Sequence, residues 1–270
     1  MKNIKIDLKG KRGIVMGIAN ERSVAWGISE SLSKSGAELA FSYAGDALKK
    51  RVVPLALNCG SKIVYECDVS SDNSIKSFFN KISKEWESID FLVHSIAFSD
   101  KNELKGDYLE TTRNNFINTL DISCYSFTII CREASKLMKN GGQLLTLSYL
   151  GAERVMPHYN VMGVAKAALE CSVKYLATDL GKKNIRVNAI SAGPIKTLAA
   201  SGISDFRYIL KWNEYNSPLN RVTNINEVGN NSLYLLSELS SGVTGEVIHV
   251  DCGYHTVGMK SVDAPDISTV

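Results

Sequence analysis

The sequence lacks the features that mark membrane, secreted or strongly basic proteins. No apolar run in its 270 residues approaches the roughly 18 that a transmembrane helix needs, and the N-terminal stretch MKNIKIDLKGKRG has no apolar core like that of a signal peptide. The net charge of +3 is too small to indicate a surface for nucleic acid or an anionic membrane. We therefore expect a cytoplasmic protein that binds neither nucleic acid nor membrane.

Cysteine and histidine are present without the spacing that disulfide frameworks or metal sites need. The six cysteines are scattered and include no C-x-x-C pair, and the four histidines show no metal-ligand spacing. In a chain of this length, such cysteines are typical of the reduced thiols of a cytosolic protein. We expect no metal site.

Short apolar runs alternate with helical patterns along the chain, and each run is typical of a strand. The runs fall at residues 13–16, 38–43, 62–67, 89–96, 143–147, 185–190 and 247–250. Strands alternating with helices predict an α/β fold, with a single Rossmann-type, doubly wound parallel sheet of about seven strands and helices on both faces.

One domain is expected over residues 1–259, because the sequence shows no internal repeat, linker or low-complexity segment. The longest helical pattern spans residues 111–138, and another spans residues 160–180. The last residues, 260–270, read KSVDAPDISTV, a polar composition typical of a disordered tail.

The first strand is followed by GIANERSVAWG, residues 17–27, which joins a glycine turn to a helix. Free backbone N–H groups and the positive dipole end of a helix favour a pyrophosphate, and Ser23 adds a hydroxyl near the helix start. Gly27 would allow close packing of helix and strand. The spacing is not G-x-G-x-x-G, so a glycine-bearing turn without a ligand is the alternative.

Other predicted strand ends carry residues that could contact a nucleotide. Asp68 follows the third strand, where its carboxylate could accept from an adenine amino group or cap the next helix. His94 is interpreted as a hydrogen-bonded structural residue rather than a base. In residues 188–202, NAISAGPIKTLAASG, the backbone amides and the Thr197 hydroxyl could hold a carboxamide and phosphates; an ordinary long loop is the alternative.

Two longer stretches, LLTLSYLGAERVMPHYNVMGVAK and RVNAISAGPIKTLAASGISDF, are more specific. Together with SGVTGEVIHVDCGY, they closely resemble bacterial NADH-dependent enoyl-[acyl-carrier-protein] reductases, a branch of the short-chain dehydrogenase/reductase superfamily. The resemblance extends over residues 8–259. It implies an oxidoreductase of type II fatty-acid synthesis that uses NADH, acts on an enoyl thioester carried by acyl carrier protein, and forms a homotetramer.

The resemblance also implies the site residues. Tyr149, Tyr159 and Lys166 correspond to the family's catalytic residues, and Ser99 joins the two tyrosines at the substrate wall. The implied dinucleotide contacts are Gly17, Ser23, Val24, Asp68, Val69, Ile96, Lys166, Ile195, Lys196, Thr197, Leu198 and Ala199. One position departs from the family, since Ala44 stands where a polar residue near the adenosine ribose is common.

Six residues separate Tyr159 from Lys166, and reductases that act on ketones usually place such a pair one helical turn closer. A ketone accepts hydride on the carbon that bears its oxygen, whereas an enoyl thioester accepts it at Cβ, further from the carbonyl oxygen. On a helix an offset of seven residues spans roughly 10 Å, against about 6 Å for four. The longer spacing therefore favours conjugate reduction. Two unrelated residues on a core-facing helix are the alternative.

The cofactor preference follows from the residues after the second strand. No arginine or lysine directly follows it in FSYAGDALKKR, which predicts NADH and makes NADPH the less favoured cofactor. Lys49, Lys50 and Arg51 lie on the next helix and could still reach a 2′-phosphate.

Residues 201–212 are interpreted as a helix that covers the substrate, with Ile203, Phe206, Ile209 and Leu210 facing the acyl chain. A plain amphipathic helix is the alternative for this segment. For the whole chain, the alternative functions are a ketone reductase of the same superfamily and a dinucleotide-binding regulator without turnover. The Tyr159–Lys166 spacing argues against the first, and the intact pair argues against the second.

Overall fold

A parallel sheet of seven strands forms the centre of the computed structural model, which describes residues 6–198, 200 and 203–267. The strands are β1 (Arg12–Met16), β2 (Glu38–Tyr43), β3 (Val64–Glu66), β4 (Phe91–His94), β5 (Gly142–Ser148), β6 (Ile185–Ala192) and β7 (Val247–Val250). Their order is β3-β2-β1-β4-β5-β6-β7, so the winding reverses between β1 and β4. The predicted fold class and strand number are confirmed.

Helices cover both faces of the sheet. They are α1 (Val24–Lys34), α2 (Asp46–Asn58), α3 (Asp72–Glu85), α4 (Arg113–Leu120), α5 (Ser126–Leu137), α6 (Asn160–Gly181), α7 (Phe206–Asn216) and α8 (Ile225–Leu235). Apolar residues of α3, α5 and α6 bury one face of the sheet, and those of α1, α2 and α8 bury the other. The strands are apolar on both sides because neither face contacts water.

The predicted long helix at 111–138 is wrong as a continuous α-helix. A π-helical turn, Asp121–Tyr125, separates α4 from α5. The turn is held by side chains, because the Ser126 hydroxyl donates to the Ile122 carbonyl oxygen at 2.7 Å. Such wider turns change which side chains face a neighbouring segment, and they recur at functional sites. Here Ser123 is turned toward Phe98, as described below.

Two predicted strands are shorter than the apolar runs that indicated them. The run at 62–67 forms only Val64–Glu66, and the run at 89–96 forms only Phe91–His94. Apolar composition marks burial rather than ladder hydrogen bonds, so it does not show where a chain leaves the sheet. The residues after these strands turn away from the sheet and line the cavity described below.

Within the described ranges, no helix has both the length and the apolar character needed to cross a membrane. The polar tail contacts the rest of the fold through the Ser261 backbone N–H, which donates to Asn216 Oδ1 at 2.9 Å, and the side chain of Ile267 is buried. Disorder of this tail in solution stays a prediction.

Gly27 brings α1 into direct backbone contact with α8 rather than with a strand. A Cβ atom at Gly27 would lie 2.4 Å from the Ile225 carbonyl oxygen, and one at Gly229 would lie 2.4 Å from the Gly27 carbonyl oxygen. The predicted close packing is therefore present, but its partner is a helix.

We expect Gly27→Ala to lower the free energy of unfolding by about 1–3 kcal/mol, because the added methyl group must displace α8. Gly181→Ala is the matched control, since a Cβ at Gly181 would meet no atom within 4 Å. Urea unfolding followed by circular dichroism measures both variants. Equal stabilities would contradict the backbone contact between α1 and α8.

Candidate active site

A cavity of about 760 Å³ opens at the carboxyl ends of the strands, on the edge of the sheet where parallel α/β folds bind ligands. Its wall includes residues at or just after the ends of six strands: Gly17, Tyr43, Cys67, Ser95, Ser148 and Ala192. The reversal of winding between β1 and β4 separates the connections that follow these strands. The cavity occupies the resulting gap.

Most of the predicted site residues meet in this cavity. They are Gly17, Ser23, Val24, Asp68, Val69, Ile96, Ser99, Tyr149, Tyr159, Lys166, Ile195, Thr197 and Leu198. Lys196 is exposed and is absent from the cavity wall, which Ile195 and Thr197 on either side of it both line. Ala199 lies outside the described residues.

The turn after β1 requires glycine at its first position. Gly17 has a φ of 99°, and a Cβ atom there would lie 1.9 Å from the Ser95 carbonyl oxygen. Ser23 closes the same turn, since its hydroxyl oxygen accepts from the backbone N–H groups of Ala19 at 3.0 Å and Asn20 at 3.1 Å. The N-terminus of α1 follows at the cavity wall, an arrangement that fits a pyrophosphate.

Asp68 lines the cavity and does not cap α3. Its Oδ1 accepts from the backbone N–H of Ser70 at 3.0 Å and from the Ser70 hydroxyl at 2.7 Å. The N-cap of α3 is Ser71, whose side chain accepts from the Ser74 N–H. Ser71 rather than Asp68 therefore caps α3, and Asp68 lies at the wall of the cavity.

The two tyrosines come from different elements and their rings are in contact. Tyr149 directly follows β5, and Tyr159 directly precedes α6. Their ring centroids lie 5.0 Å apart with an interplanar angle of 73°. Burial raises the pKa of both phenols, so each keeps its proton at neutral pH and can donate a hydrogen bond.

Two glycines that the sequence analysis did not identify allow close packing around the Tyr159 ring. A Cβ atom at Gly151 would lie 2.3 Å from Tyr159 Cδ1, and one at Gly163 would lie 2.7 Å from the Gly151 carbonyl oxygen. The signal was present, because one glycine lies on each side of Tyr159 within the quoted motif. It could be interpreted only once the position of the ring was known.

Lys166 is buried two turns into α6, and its ammonium group reaches the cavity wall. Its Nζ donates to the Leu147 carbonyl oxygen at 2.6 Å, at the end of β5. Burial lowers the pKa of Lys166 to about 8, while Cys124 and Glu170 act in the opposite direction. An ammonium group has three hydrogens, so Lys166 can also donate to the hydroxyl groups of a ribose.

His94 is a structural residue, as expected. Its Nε2 lies 2.8 Å from the Ser126 hydroxyl, and its Nδ1 lies 3.3 Å from the Thr146 hydroxyl. Burial lowers the pKa of His94 to about 3, so the imidazole is neutral at physiological pH. It supports β4 and β5 below the site.

A stripe of polar residues on α4 and the π-helical turn holds the loop that follows β4. Asn115 Nδ2 donates to the Ser99 hydroxyl at 3.2 Å, and the Thr119 hydroxyl donates to it at 3.0 Å. Ser123 accepts from the Phe98 N–H at 3.0 Å and donates to the Phe98 carbonyl oxygen at 3.1 Å. The sequence analysis missed these residues, although their four-residue spacing marks one helical face.

The predicted cover is only partly as expected. Ile203 and Phe206 line the cavity, whereas Ile209 is buried and neither it nor Leu210 belongs to the cavity wall. Residues 201 and 202 lie outside the described residues. Helix α7 begins after Asp205, whose carboxylate lies 3.1 Å from Nε2 of His158, the residue before Tyr159. The start of α7 is thereby tied to the active-site loop.

The second half of α7 is joined to the segment after β7. Trp212 Nε1 donates to the Tyr254 hydroxyl at 2.8 Å. From the active-site loop, Arg154 donates to the carbonyl oxygens of His255 at 2.7 Å and Val257 at 2.8 Å. Hydrogen bonds therefore join three segments that are distant in sequence: α7, the loop that contains Arg154, and the segment after β7.

Comparison with known proteins agrees with this geometry. The model of a family described as enoyl-(acyl carrier protein) reductase matches residues 17–255. The enoyl-[acyl-carrier-protein] reductase [NADH] 1 of Rhizobium meliloti (strain 1021) is 65% identical over 263 residues, which cover 97% of each chain.

Solved structures agree as well. The enoyl-(acyl-carrier-protein) reductase of Anaplasma phagocytophilum, crystallised with NAD, superposes with a TM-score of 0.92 at 59% identity and covers 96% of this chain and 97% of that one. The Bacillus cereus enoyl-acyl carrier protein reductase, crystallised with NADP+ and an indole naphthyridinone, gives a TM-score of 0.91 at 51% identity and covers 93% of this chain and 99% of that one.

The family match spans most of the chain, and its relatives are aligned over nearly their whole length. The cavity, the paired tyrosines and the buried lysine lie within the matched residues. This chain belongs to the enoyl-(acyl carrier protein) reductase family of oxidoreductases.

Proposed function

We propose that this protein reduces the trans-2 double bond of enoyl thioesters carried by acyl carrier protein, with NADH as the reductant, in type II fatty-acid synthesis. The observation that carries the proposal is the convergence of Tyr149, Tyr159 and Lys166 on one cavity wall, within a chain of this family. The position of Tyr159 just before α6 supports the two-turn separation from Lys166.

Residues on the described cavity wall fit a dinucleotide. The glycine turn at Gly17 and the start of α1 fit the pyrophosphate, Asp68 fits the adenine amino group, and Lys166 fits the nicotinamide ribose. When bound there, NADH supplies the hydride that is delivered to Cβ of the substrate. Lys196 and Ala199 complete the proposed set of dinucleotide contacts, because they flank Thr197 and Leu198.

Tyr159 is the proposed donor to the thioester carbonyl oxygen. Hydride delivery to Cβ places negative charge on that oxygen, as an enolate. The buried phenol keeps its proton, so its hydroxyl can donate a hydrogen bond that strengthens as the charge develops. Cα then takes a proton from water. The Lys166 ammonium adds a positive charge that favours this charge distribution.

Tyr149 and Ser99 are proposed as substrate contacts. The Tyr149 ring packs against Tyr159 and restricts its orientation. Ser99, which also lines the cavity, is held by hydrogen bonds to Asn115 and Thr119. Ile203 and Phe206 supply apolar surface suited to an acyl chain, so the segment 201–212, which includes the start of α7, is proposed as its cover.

The adenosine end of the cavity favours NADH over NADPH. Tyr43, Ala44 and Leu48 line it, and none of the three carries a positive charge. None of Lys49, Lys50 and Arg51 belongs to the cavity wall. The Lys49 Nζ lies over the Tyr43 ring, 5.9 Å from its centre. A 2′-phosphate would therefore find little charge compensation there.

We propose a cytoplasmic homotetramer whose subunits each contain one reductase domain, residues 1–259. Exposed apolar side chains on α6 and α4 support self-association: Val164, Tyr175 and Ile117 are 37%, 72% and 60% exposed. Exposed apolar patches mark protein interfaces. The free thiols of the chain fit a reducing compartment.

The substrate class is tested by following NADH oxidation with a 2-enoyl thioester and, separately, with a 3-ketoacyl thioester. We expect turnover of the enoyl substrate only. Tyr159→Phe should lower kcat by about 10²–10³ with little change in NADH affinity, because its hydrogen bond strengthens mainly in the transition state. Tyr65→Phe, on β3 and outside the cavity, is the control. Wild-type kcat in Tyr159→Phe would contradict the assignment.

Cofactor preference is tested by comparing kcat/KM for NADH and NADPH. We expect at least about a tenfold advantage for NADH, the size of one missing charge contact. Ala44→Arg should reduce that advantage by improving the use of NADPH, and Lys49→Met should leave it unchanged. Equal kcat/KM values for the two cofactors in the wild type would refute the preference.

Mass photometry at micromolar concentration tests the assembly. We expect a tetramer for the wild type and smaller species for Tyr175→Glu, because a carboxylate in an apolar interface costs several kcal/mol. Lys183→Glu, an exposed charge change beyond the end of α6, should remain tetrameric. A monomeric wild type would contradict the proposal.

A further inference from the structure

Two charged side chains on α6 contact consecutive residues at the end of β5. Lys166 donates to the Leu147 carbonyl oxygen at 2.6 Å, and the Ser148 hydroxyl donates to the Glu170 carboxylate. Lys166 and Glu170 are four residues apart, so they lie on the same face of the helix, one turn from each other. The next residue of the chain is Tyr149. The mechanism above gives Glu170 no role.

The other titratable neighbours of Lys166 are uncharged at neutral pH. Burial raises the pKa of the Cys124 thiol, so it remains protonated. Burial lowers the pKa of His94 to about 3, so the imidazole remains neutral. Burial raises the pKa of Glu170 too, but the hydrogen bond from Ser148 and the nearby Lys166 both favour its carboxylate form. Among these described neighbours, Glu170 is therefore the one that can supply a negative charge to the buried ammonium group.

Glu170 also faces groups from two further elements. Glu153, after β5, adds negative charge near it, and His249 of β7 adds positive charge when protonated. These two are paired, with His249 Nε2 2.8 Å from Glu153 Oε1. His249 stacks on His255 with ring centroids 4.0 Å apart, and His255 Nδ1 lies 3.0 Å from Asp251 Oδ1. Glu170 thus lies between this surface cluster and the buried lysine.

We propose that Glu170 is the positioning residue for Lys166: its carboxylate, held by the Ser148 hydroxyl, keeps the ammonium group charged and fixed against the end of β5. Burial of Lys166 disfavours the charged form, and a carboxylate one helical turn away opposes that loss. The effect of Glu170 on turnover rests on the function proposed above. The effect of Glu170 on the charge of Lys166 does not depend on that function.

The charge is measured without substrate or cofactor. Brief acetic anhydride labelling across a pH series, followed by mass spectrometry, gives the midpoint at which Lys166 becomes a reactive neutral amine. We expect a wild-type midpoint near the pKa of about 8. Glu170→Gln should lower the midpoint by about one pH unit, which raises the neutral fraction at pH 8 from about one half to about nine tenths.

Two variants control for changes unrelated to the charge of Glu170. Glu170→Asp retains the carboxylate and should keep the midpoint close to that of the wild type. Asp179→Asn removes an exposed carboxylate further along α6 and should not move it. Circular dichroism verifies folding, and Glu170→Leu provides a second uncharged side chain if Glu170→Gln does not fold.

Titrations with NADH and pH profiles of kcat/KM extend the test to function. In Glu170→Gln, NADH affinity and kcat/KM should both be lost at lower pH than in the wild type, because Lys166 loses its proton earlier. A merely structural role would reduce them equally at every pH. Failure to reduce enoyl thioesters would refute the proposed function, while the labelling midpoint would still decide the role of Glu170. An unchanged midpoint in the uncharged variants would overturn the proposal.

Discussion

A positive charge buried at the end of β5 is the constraint on which the site depends. An ammonium group is costly to remove from water unless hydrogen bonds and charge compensate it. The carbonyl oxygen of Leu147, the last residue but one of β5, supplies such a hydrogen bond. The position of Lys166 therefore depends on the length of β5, on its register against α6, and on the residues that surround the charge.

The two ends of the cavity, which opens at this edge of the sheet, are built in different ways. At the nucleotide end, the turn after β1 sets much of the geometry: Gly17 has a φ of 99°, and Ser23 closes its own turn. At the acyl end, distant segments meet, as when Arg154 contacts the carbonyl oxygens of His255 and Val257. The proposed dinucleotide contacts thus come largely from strand–turn–helix units, whereas the proposed substrate wall is assembled from separate parts of the chain.

This difference also explains how much could be predicted from the sequence. The alternation of apolar runs and helices was sufficient for the sheet, and the motifs around Tyr159 and Lys166 indicated residues that the fold brings to one cavity. Gly151, Gly163 and Asn115 were missed because each acts through a neighbour that is distant in sequence or lies across a turn. The uninterrupted helix at 111–138 was predicted because hydrophobic periodicity averages over several turns and conceals one extra residue.

Because of that extra residue, the number of residues between α4 and α5 determines how the two helices are oriented relative to each other. In a continuous α-helix each residue advances by about 100°, so removing one residue from Asp121–Tyr125 would rotate α4 by that angle relative to α5. The buried apolar residues of α5 are fixed in the core, so the rotation would fall on α4. Asn115 and Thr119 would then turn away from Ser99. A substitution within the π-helical turn keeps the number of residues and therefore this rotation, whereas a single deletion does not. The alignment of α4 with Ser99 thus depends on the length of this short segment.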